Sequence, residues 1–379
     1  MNNEWAVAVL THYSIFITQQ MLRYTIKRLL YGLLVLLGVV TLVFFLFNIL
    51  PGDPARMMLG QRADEESIKI INRDLGRDKP VGVQYLNYLN DLLPISVHNN
   101  SDPDNFFFLD ADKYAPYTTL LKMGKTSVVL KAPYLRRSYQ SKRKVSEIIA
   151  TAFPQTALLA GVALTFALIV GILLGVLSAL YKDSWVDRLT LVLSTLGMSL
   201  PSFFVAILVA WFFAYVLADV THLNMFGNLF TVDDYGTGEY LDLKNLILPA
   251  LTLGVRPLAT LTQLTKNSMI EALSQNYIRT ARAKGLPFRK VVFHHALRNA
   301  MNPVVTSASG WLAGLLAGAV FVEYVFDWKG MGIVIVDGLD KYDFPVVMGA
   351  ILFICVLLIV INILTDILYG ILDPRVRMQ

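Results

Sequence analysis

The strongest constraint on this chain is a set of long stretches from which charge is missing. Residues 29–52, 148–181, 189–218, 299–322 and 344–365 contain no Asp, Glu, Lys or Arg, and 245–265 is interrupted only by Arg256. A helix that crosses a bilayer needs about 20 mostly apolar residues, because backbone polar groups find no water in the hydrocarbon layer. Six spans are therefore expected. Composition agrees, since 16% of the residues are charged, against about 25% in a soluble domain. The 189–218 run is long for one span and contains Ser199-Leu200-Pro201-Ser202. Proline removes a backbone donor and crowds the preceding turn, so one kinked helix is expected there.

The first run follows Arg23, Lys27 and Arg28 and has no small-residue cleavage site, so it reads as a retained anchor and not as a secretory signal. Residues 1–20 look like an appendage, and Met21, just before Leu22-Arg23-Tyr24, is an expected alternative start. Orientation follows from the short loops. Arg23, Lys27 and Arg28, then Lys182 and Arg188, then the cluster from Lys266 to Arg298, then Arg375 and Arg377 fall on one side, against Lys244, Lys329 and Lys341 on the other. Basic short loops stay in the cytoplasm, which puts both termini inside. Segment 51–147 is then a large outer domain. It opens with the turn-forming Pro51-Gly52-Asp53-Pro54 and continues into helical spacing over 65–75. Beyond Asp91 a polar loop and short strands at 106–108 and 126–130 are expected, with a solvated basic tail over 136–144.

Several functions are excluded or disfavoured. The basic residues alternate with the spans instead of forming one patch, which argues against nucleic acid. The single Cys355 builds neither a disulfide framework nor a cysteine metal site. Gly124-Lys125-Thr126 lacks the upstream glycine of a phosphate loop, since position 119 is Thr119, and reads as a polar turn. His294 and His295 are adjacent, about 100° apart on a helix, and suit packing better than a shared ion. No span holds a Ser/His pair, paired Asp or metal-spaced set, so a membrane-embedded enzyme lacks its catalytic groups. No internal repeat is found.

The longest inner loop, 271–299, is the most informative segment. Ala281, Ala283, Arg279, Arg282 and Lys284 favour helix, Gly285 is a natural C-cap, and Pro287 restarts a helix, so two short helices meet at a bend. Spacing alone leaves open a membrane-surface amphipathic helix.

The run Tyr277-Ile278-Arg279-Thr280-Ala281-Arg282-Ala283-Lys284-Gly285, followed by His295-Ala296-Leu297-Arg298-Asn299 and Pro303, resembles the docking loop of B-type permease subunits of dipeptide and oligopeptide ATP-binding-cassette importers. The resemblance continues in order through Leu50-Pro51-Gly52-Asp53-Pro54, Gln84-Tyr85-Leu86, Ser199-Leu200-Pro201-Ser202-Phe203, Gly318-Ala319-Val320 with Glu323 and Phe326, Tyr342-Asp343-Phe344-Pro345 and Leu372-Asp373-Pro374-Arg375. It covers about 21–91 and 145–377. This sequence departs from the family in an insertion at about 92–144, in Lys329 where a proline is common, and in Gln263 where an arginine is common.

The resemblance implies an all-α integral membrane protein of an inner (plasma) membrane, with six transmembrane helices and a large mixed extracytoplasmic insertion between the first two. The implied layout is a cytoplasmic segment 1–28, helix 1 at 29–50, an outer domain at 51–147 and a permease core at 148–377. The core spans are 154–181, 188–218, 246–266, 300–322 and 345–371, with a cytoplasmic coupling loop at 271–299. Implied partners are a homologous second permease, two cytoplasmic ATP-binding subunits, an extracytoplasmic solute-binding protein, the bilayer and a peptide substrate. The chain itself would hold no cofactor, because ATP and Mg bind the partner subunits. Tyr277, Arg279, Ala281, Arg282, Ala283, Lys284 and Gly285 are the implied coupling residues; Arg256, Pro201 and Ser199 are candidates for the translocation path. Transport of nickel chelates or glutathione, or a self-sufficient channel, are the alternatives.

Charges within the spans need a partner or water. Arg256 either lines the path or serves as a structural counter-ion, and Asp366, near the inner end, is expected to pair with a basic residue. Gly161, Gly171 and Gly175 are expected to let helices approach closely.

Overall fold

A computed structural model describes residues 26–47, 65, 68–69, 72, 77–102, 105, 107–114, 116–232 and 238–372. The expectations about residues 1–20, Met21, the 51–54 turn, most of the 65–75 helix and residues 373–377 fall outside them. The chain forms two compact units, one made of Met1–Leu36, Ala152–Ile333 and Ile354–Gln379, the other of Leu37–Thr151 and Val334–Phe353.

The elements are mostly helical. In chain order they include α1 (Ile26–Phe47), α2 (Val81–Leu92), α3 (Val145–Leu180), α4 (Trp185–Ser199), α5 (Ser202–Trp211), α6 (Lys244–Ser274), α7 (Asn276–Ala283), α8 (Leu297–Gly318), α9 (Val320–Phe326), α10 (Met331–Asp340) and α11 (Phe344–Leu372). Three strands, β1 (Ile95–Asn99), β2 (Tyr117–Met123) and β3 (Thr126–Lys131), lie between α2 and α3. Among the described residues, three helices are long and apolar enough to cross a membrane: α1, α3 and the Phe344–Asp366 part of α11. Counting each bent pair once raises this to five.

The run around Pro201 is two helices, not the single kinked helix expected from the sequence. The angle between α4 and the helix from Ser202 to Val216 is 115°. Leu200 is extended at φ −78 and ψ 138, as a residue before proline prefers, and this ends α4 one residue before Pro201. A second bend of 55° separates α8 from α9. Helix α6 is long, but its polar content keeps it below the composition of a lipid-exposed span. Its Asn245, Thr252, Thr262 and Thr265 are buried, so neighbouring helices rather than lipid surround them.

Those neighbours are close because of glycines. A Cβ on Gly171 would lie 3.1 Å from the Leu258 carbonyl oxygen, and one on Gly175 only 2.7 Å from that of Thr262. Helix α3 therefore packs backbone to backbone on α6, as the small-residue spacing anticipated. Gly161 has no such neighbour. The core of this unit combines Leu159, Ala160 and Ala163 of α3, Leu248, Ala250 and Leu253 of α6, and Val322, Phe326 and Trp328. Asp366 finds its basic partner in Arg28, on the first turns of α1, at 3.2 Å.

In the other unit the strands form one antiparallel sheet in the order β1-β3-β2, with Ile95 opposite Leu130 and Met123 opposite Thr126. Gly124 at φ +59 closes the β2–β3 hairpin with Lys125, so the first two residues of the Gly-Lys-Thr run are the expected turn and Thr126 opens β3. One face of the sheet is buried and polar: Ser96, His98, Ser127 and Lys131 all lie within it. Asp91, at 1% exposure, organises this interior. Its carboxylate accepts the Tyr114 hydroxyl at 2.6 Å and faces Lys113 at 3.5 Å, while its carbonyl accepts from the Lys131 ammonium at 2.6 Å. Burial pushes the Lys131 amine down to about 8, against the opposing pull of Asp91. Burial also raises the Tyr114 and Tyr88 hydroxyls and lowers His98. The opposite face exposes Ile95, Val97, Leu121, Met123 and Leu130. After the sheet, Ser138 donates its hydroxyl to the Asp343 carboxylate, which also accepts the Tyr139 N–H at 2.9 Å and anchors the 136–144 segment.

Candidate functional site

Helix α7 begins after an extended Gln275, whose carbonyl accepts the Ile278 N–H at 3.1 Å. It ends on Gly285 at φ +70, a left-handed conformation that side chains rarely adopt. The Gly285 N–H returns to the Arg282 carbonyl at 3.0 Å and that of Leu286 to Ala281 at 3.3 Å. Pro287 is extended and stands just before the next helical turn, one residue earlier than expected for a helix-starting proline. From Val291 to Ala296 the backbone widens into a π turn before α8.

Burial gives this loop two sides. Ile278 and Ala281, three residues apart and thus on one helix face, are buried against Val176 and Ala179 of α3, Met269 and Ala272 of α6, and Val291 and Val292. Tyr277, Arg279, Arg282, Ala283, Lys284 and Gly285 are exposed. Among the described residues none of Arg279, Arg282 and Lys284 has an ion-pair partner. Ala281 belongs to the chain's own core and so offers no surface for close approach, unlike Ala283 and Gly285. Two long helices, α3 and α6, and the loop thus share one apolar cluster.

A buried ionic group reinforces the same region. Lys266 of α6 lies 2.5 Å from Asp187 of α4. The Ser178 hydroxyl of α3 donates to the same carboxylate, and the Asp183 N–H donates to its other oxygen at 3.1 Å. The three helices are therefore joined by one carboxylate, a contact that no local pattern announced.

The path candidates lie elsewhere in this unit. Arg256 is exposed on α6, and among the described residues no carboxylate pairs with it. At 100° per residue, Arg256, Thr260, Gln263 and Asn267 share one face, and each is exposed or half-buried. Ser199 donates its hydroxyl to the Thr195 carbonyl at 2.8 Å, so it is satisfied within α4, and Pro201 is exposed at the break. A Cβ on Gly197, two residues before Ser199, would lie 3.0 Å from the side chain of Val255, the neighbour of Arg256. His294 and His295 sit edge to face at 5.2 Å, and no group of three or more metal-binding side chains occurs among the described residues.

Sequence reasoning missed the role of Glu323. It is fully buried and accepts the Thr156 hydroxyl at 2.6 Å and the Gly332 N–H at 2.6 Å, while Thr156 in turn accepts the Met331 N–H at 2.8 Å. The carboxylate thus caps the first turn of α10, where backbone donors lack partners. Lys329, the departure from the family's proline, donates its N–H to Asn228 at 2.6 Å, a bond proline cannot make.

These features describe a mostly helical membrane protein with several apolar spans and an exposed cationic loop packed on two long helices. Residues 171–378 match the binding-protein-dependent transport system inner membrane component, and 21–102 match the N-terminal part of such components. The chain belongs to this family of non-catalytic, multi-pass inner-membrane permeases, which serve ATP-binding-cassette importers without a cofactor of their own. It is 34% identical to a glutathione transport system permease protein of Salmonella typhimurium, over 94% of this chain and 99% of that one. It is 33% identical to a putative peptide permease protein of Brucella suis over 94% and 99%. A dipeptide transport system permease protein of Alkalihalophilus pseudofirmus is 31% identical over 94% and 100%.

Proposed function

We propose that this permease forms half of the transmembrane path for di- or oligopeptides and is driven through the loop around Gly285. The observation that carries the reading is the two-sided loop: Ile278 and Ala281 are locked into the helix cluster while Arg279, Arg282 and Lys284 remain outside, with no ion-pair partner among the described residues. A chain that hydrolyses no nucleotide needs such a rigid lever, and guanidinium groups suit acidic residues of a partner groove. In this reading the loop is cytoplasmic, both termini lie inside, α6 and the broken α4–α5 and α8–α9 pairs complete six spans, and 51–147 is extracytoplasmic. The partners are a homologous second permease, two ATP-binding subunits and an extracytoplasmic binding protein. The polar face of α6, with Arg256 as the group that attracts a peptide carboxylate, lines the path near Ser199 and Pro201.

Relatives named for dipeptide, peptide and glutathione transport are similarly close, and glutathione is itself a modified tripeptide, so it is the second substrate reading. The test is a Cys355→Ser/Ala283→Cys chain assembled with its partner subunits. Crosslinking should capture an ATP-binding subunit, and a folded Gly285→Trp chain should hydrolyse ATP without importing labelled peptide. No capture at Ala283, or normal uptake by Gly285→Trp, overturns the coupling role. Uptake of glutathione but not of dipeptides would select the second substrate.

A further inference from the structure

The sheet of β1, β3 and β2 is inside out for a sheet that stands in water. Its register sets Ile95 beside Leu130, Val97 and Leu121 on either side of Val128, and Met123 beside Thr126. Cross-strand partners share a face, so these side chains form one apolar surface. Ile95, Val97, Leu121, Met123 and Leu130 are 45% to 67% exposed. Among the described residues of the three strands, that face carries no charge. The register shifts between Thr119 and Leu121, so Thr119 lies on the inner side, paired with the buried Val129, although it is only two residues from the outward Leu121.

Polar groups fill the inner side and have hydrogen bonds of their own. Ser96 and His98 meet at 2.9 Å, Ser127 donates to Asn100 at 2.7 Å, and Lys131 donates to the Asp91 carbonyl at 2.6 Å. A sheet in water turns its apolar side inward, whereas one that faces lipid alternates apolar outward and polar inward. Charge points the same way. Residues 113–146 hold nine Lys and Arg and neither Asp nor Glu. Lys122 and Lys125 flank Met123 at the hairpin tip, exposed and with no ion-pair partner among the described residues. Both ends of the sheet segment are tied to spanning-length helices of the same unit. Before it, Tyr88 of α2 stacks on Phe44 of α1 at 5.4 Å; after it, Ser138 donates to Asp343, the residue that precedes α11.

We propose that the outward face of this sheet lies on the bilayer, with Leu121 and Met123 inserted at the headgroup boundary and Lys122 and Lys125 against acidic headgroups. A protein partner fits less well, because protein interfaces that form and part are about as polar as the rest of a protein surface. An uncharged apolar face fringed by lysines matches acyl chains beneath anionic headgroups.

The experiment uses the full chain with Cys355→Ser, reconstituted in bilayers of phosphatidylcholine and phosphatidylglycerol. A fluorophore is attached at Leu121→Cys, Met123→Cys or Thr119→Cys, and is quenched either by lipids with a nitroxide high on the acyl chain or by aqueous iodide. Labels at 121 and 123 should be quenched by the lipid and shielded from iodide, and the label at 119 should behave in the opposite way. The ratio of docked to undocked sheet should fall about fivefold for each lysine replaced in Lys122→Gln/Lys125→Gln. Leu121→Asp, at an exposed position on an edge strand, should free the label at 123 while the thermal midpoint in detergent stays unchanged. Absence of lipid quenching at 123, or equal quenching at 119, overturns the proposal. Shielding that arises only when partner subunits are added, or that grows with the density of this chain in the bilayer, also overturns it and gives the face to a protein.

Discussion

In the loop over 271–299 charge points outward and the buried residues are small and apolar; in the segment over 92–144 the arrangement is reversed. Ile278 and Ala281 go in while Arg279 and Arg282 stay out. At the sheet, His98 and Lys131 go in beside Asp91 of α2 while Ile95, Val97, Leu121 and Met123 stay out. The contrast separates two kinds of task. A cationic surface on an apolar anchor can hand force to another protein and remain rigid. A charged interior specifies one structure through its hydrogen bonds and leaves an apolar face for something else to cover.

The contrast is open to direct attack. Asp91→Ala should have the largest effect, because it leaves the Lys113 ammonium and the Tyr114 hydroxyl without their carboxylate acceptor and removes the negative charge beside Lys131. Breaking a buried pair this way costs about 3–5 kcal/mol, read as a lower thermal midpoint and faster proteolysis within 92–144. A loss under about 1 kcal/mol would mean that inward charge does not hold the sheet together. Ile278→Ala should cost about 2–5 kcal/mol through its cavity, whereas Arg279→Ala should stay within about 0.5 kcal/mol and affect only binding of the ATP-binding subunit. Equal destabilisation by both would erase the two-sided description of the loop.

A pH titration sharpens the comparison further. The unfolded chain keeps the Lys131 proton to about 10.5 and the folded chain loses it near 8, so between these values the unfolded state binds more protons and stability rises with pH. Above pH 10 the raised Tyr88 and Tyr114 act in the opposite sense. The thermal midpoint should therefore climb from about pH 8 toward 10, and Lys131→Met should abolish the climb. The smallest effect expected is for Lys329→Pro. It restores the family's residue but removes the N–H that Asn228 accepts, at about 1 kcal/mol. A stabilised Lys329→Pro protein would show that this bond contributes nothing.

How much of this was legible beforehand varies by element. The spacing of Ala281, Ala283, Gly285 and Pro287 announced a short capped helix, because capping and helix propensity act over a few residues. The burial of Ala281 was not announced, since which helix face is covered depends on α3 and α6, more than a hundred and about ten residues away. Pro201 announced a disturbance but not its 115° angle, which is a choice made by packing on either side of an extended Leu200. Glu323 was visible only as part of a pattern. Its bonds with Thr156 and with the Gly332 N–H join segments that no local rule brings together.

By itself the sequence determined that this chain lives in a membrane and carries a basic loop between apolar spans, because hydropathy and charge add residue by residue. The tertiary structure alone decided which polar groups are buried together, as with Asp91 beside Tyr114, Asp187 beside Lys266 and Glu323 beside Thr156. The reason is physical: a buried polar group is tolerable only with a partner, and partners are assigned by contacts between elements distant in the chain.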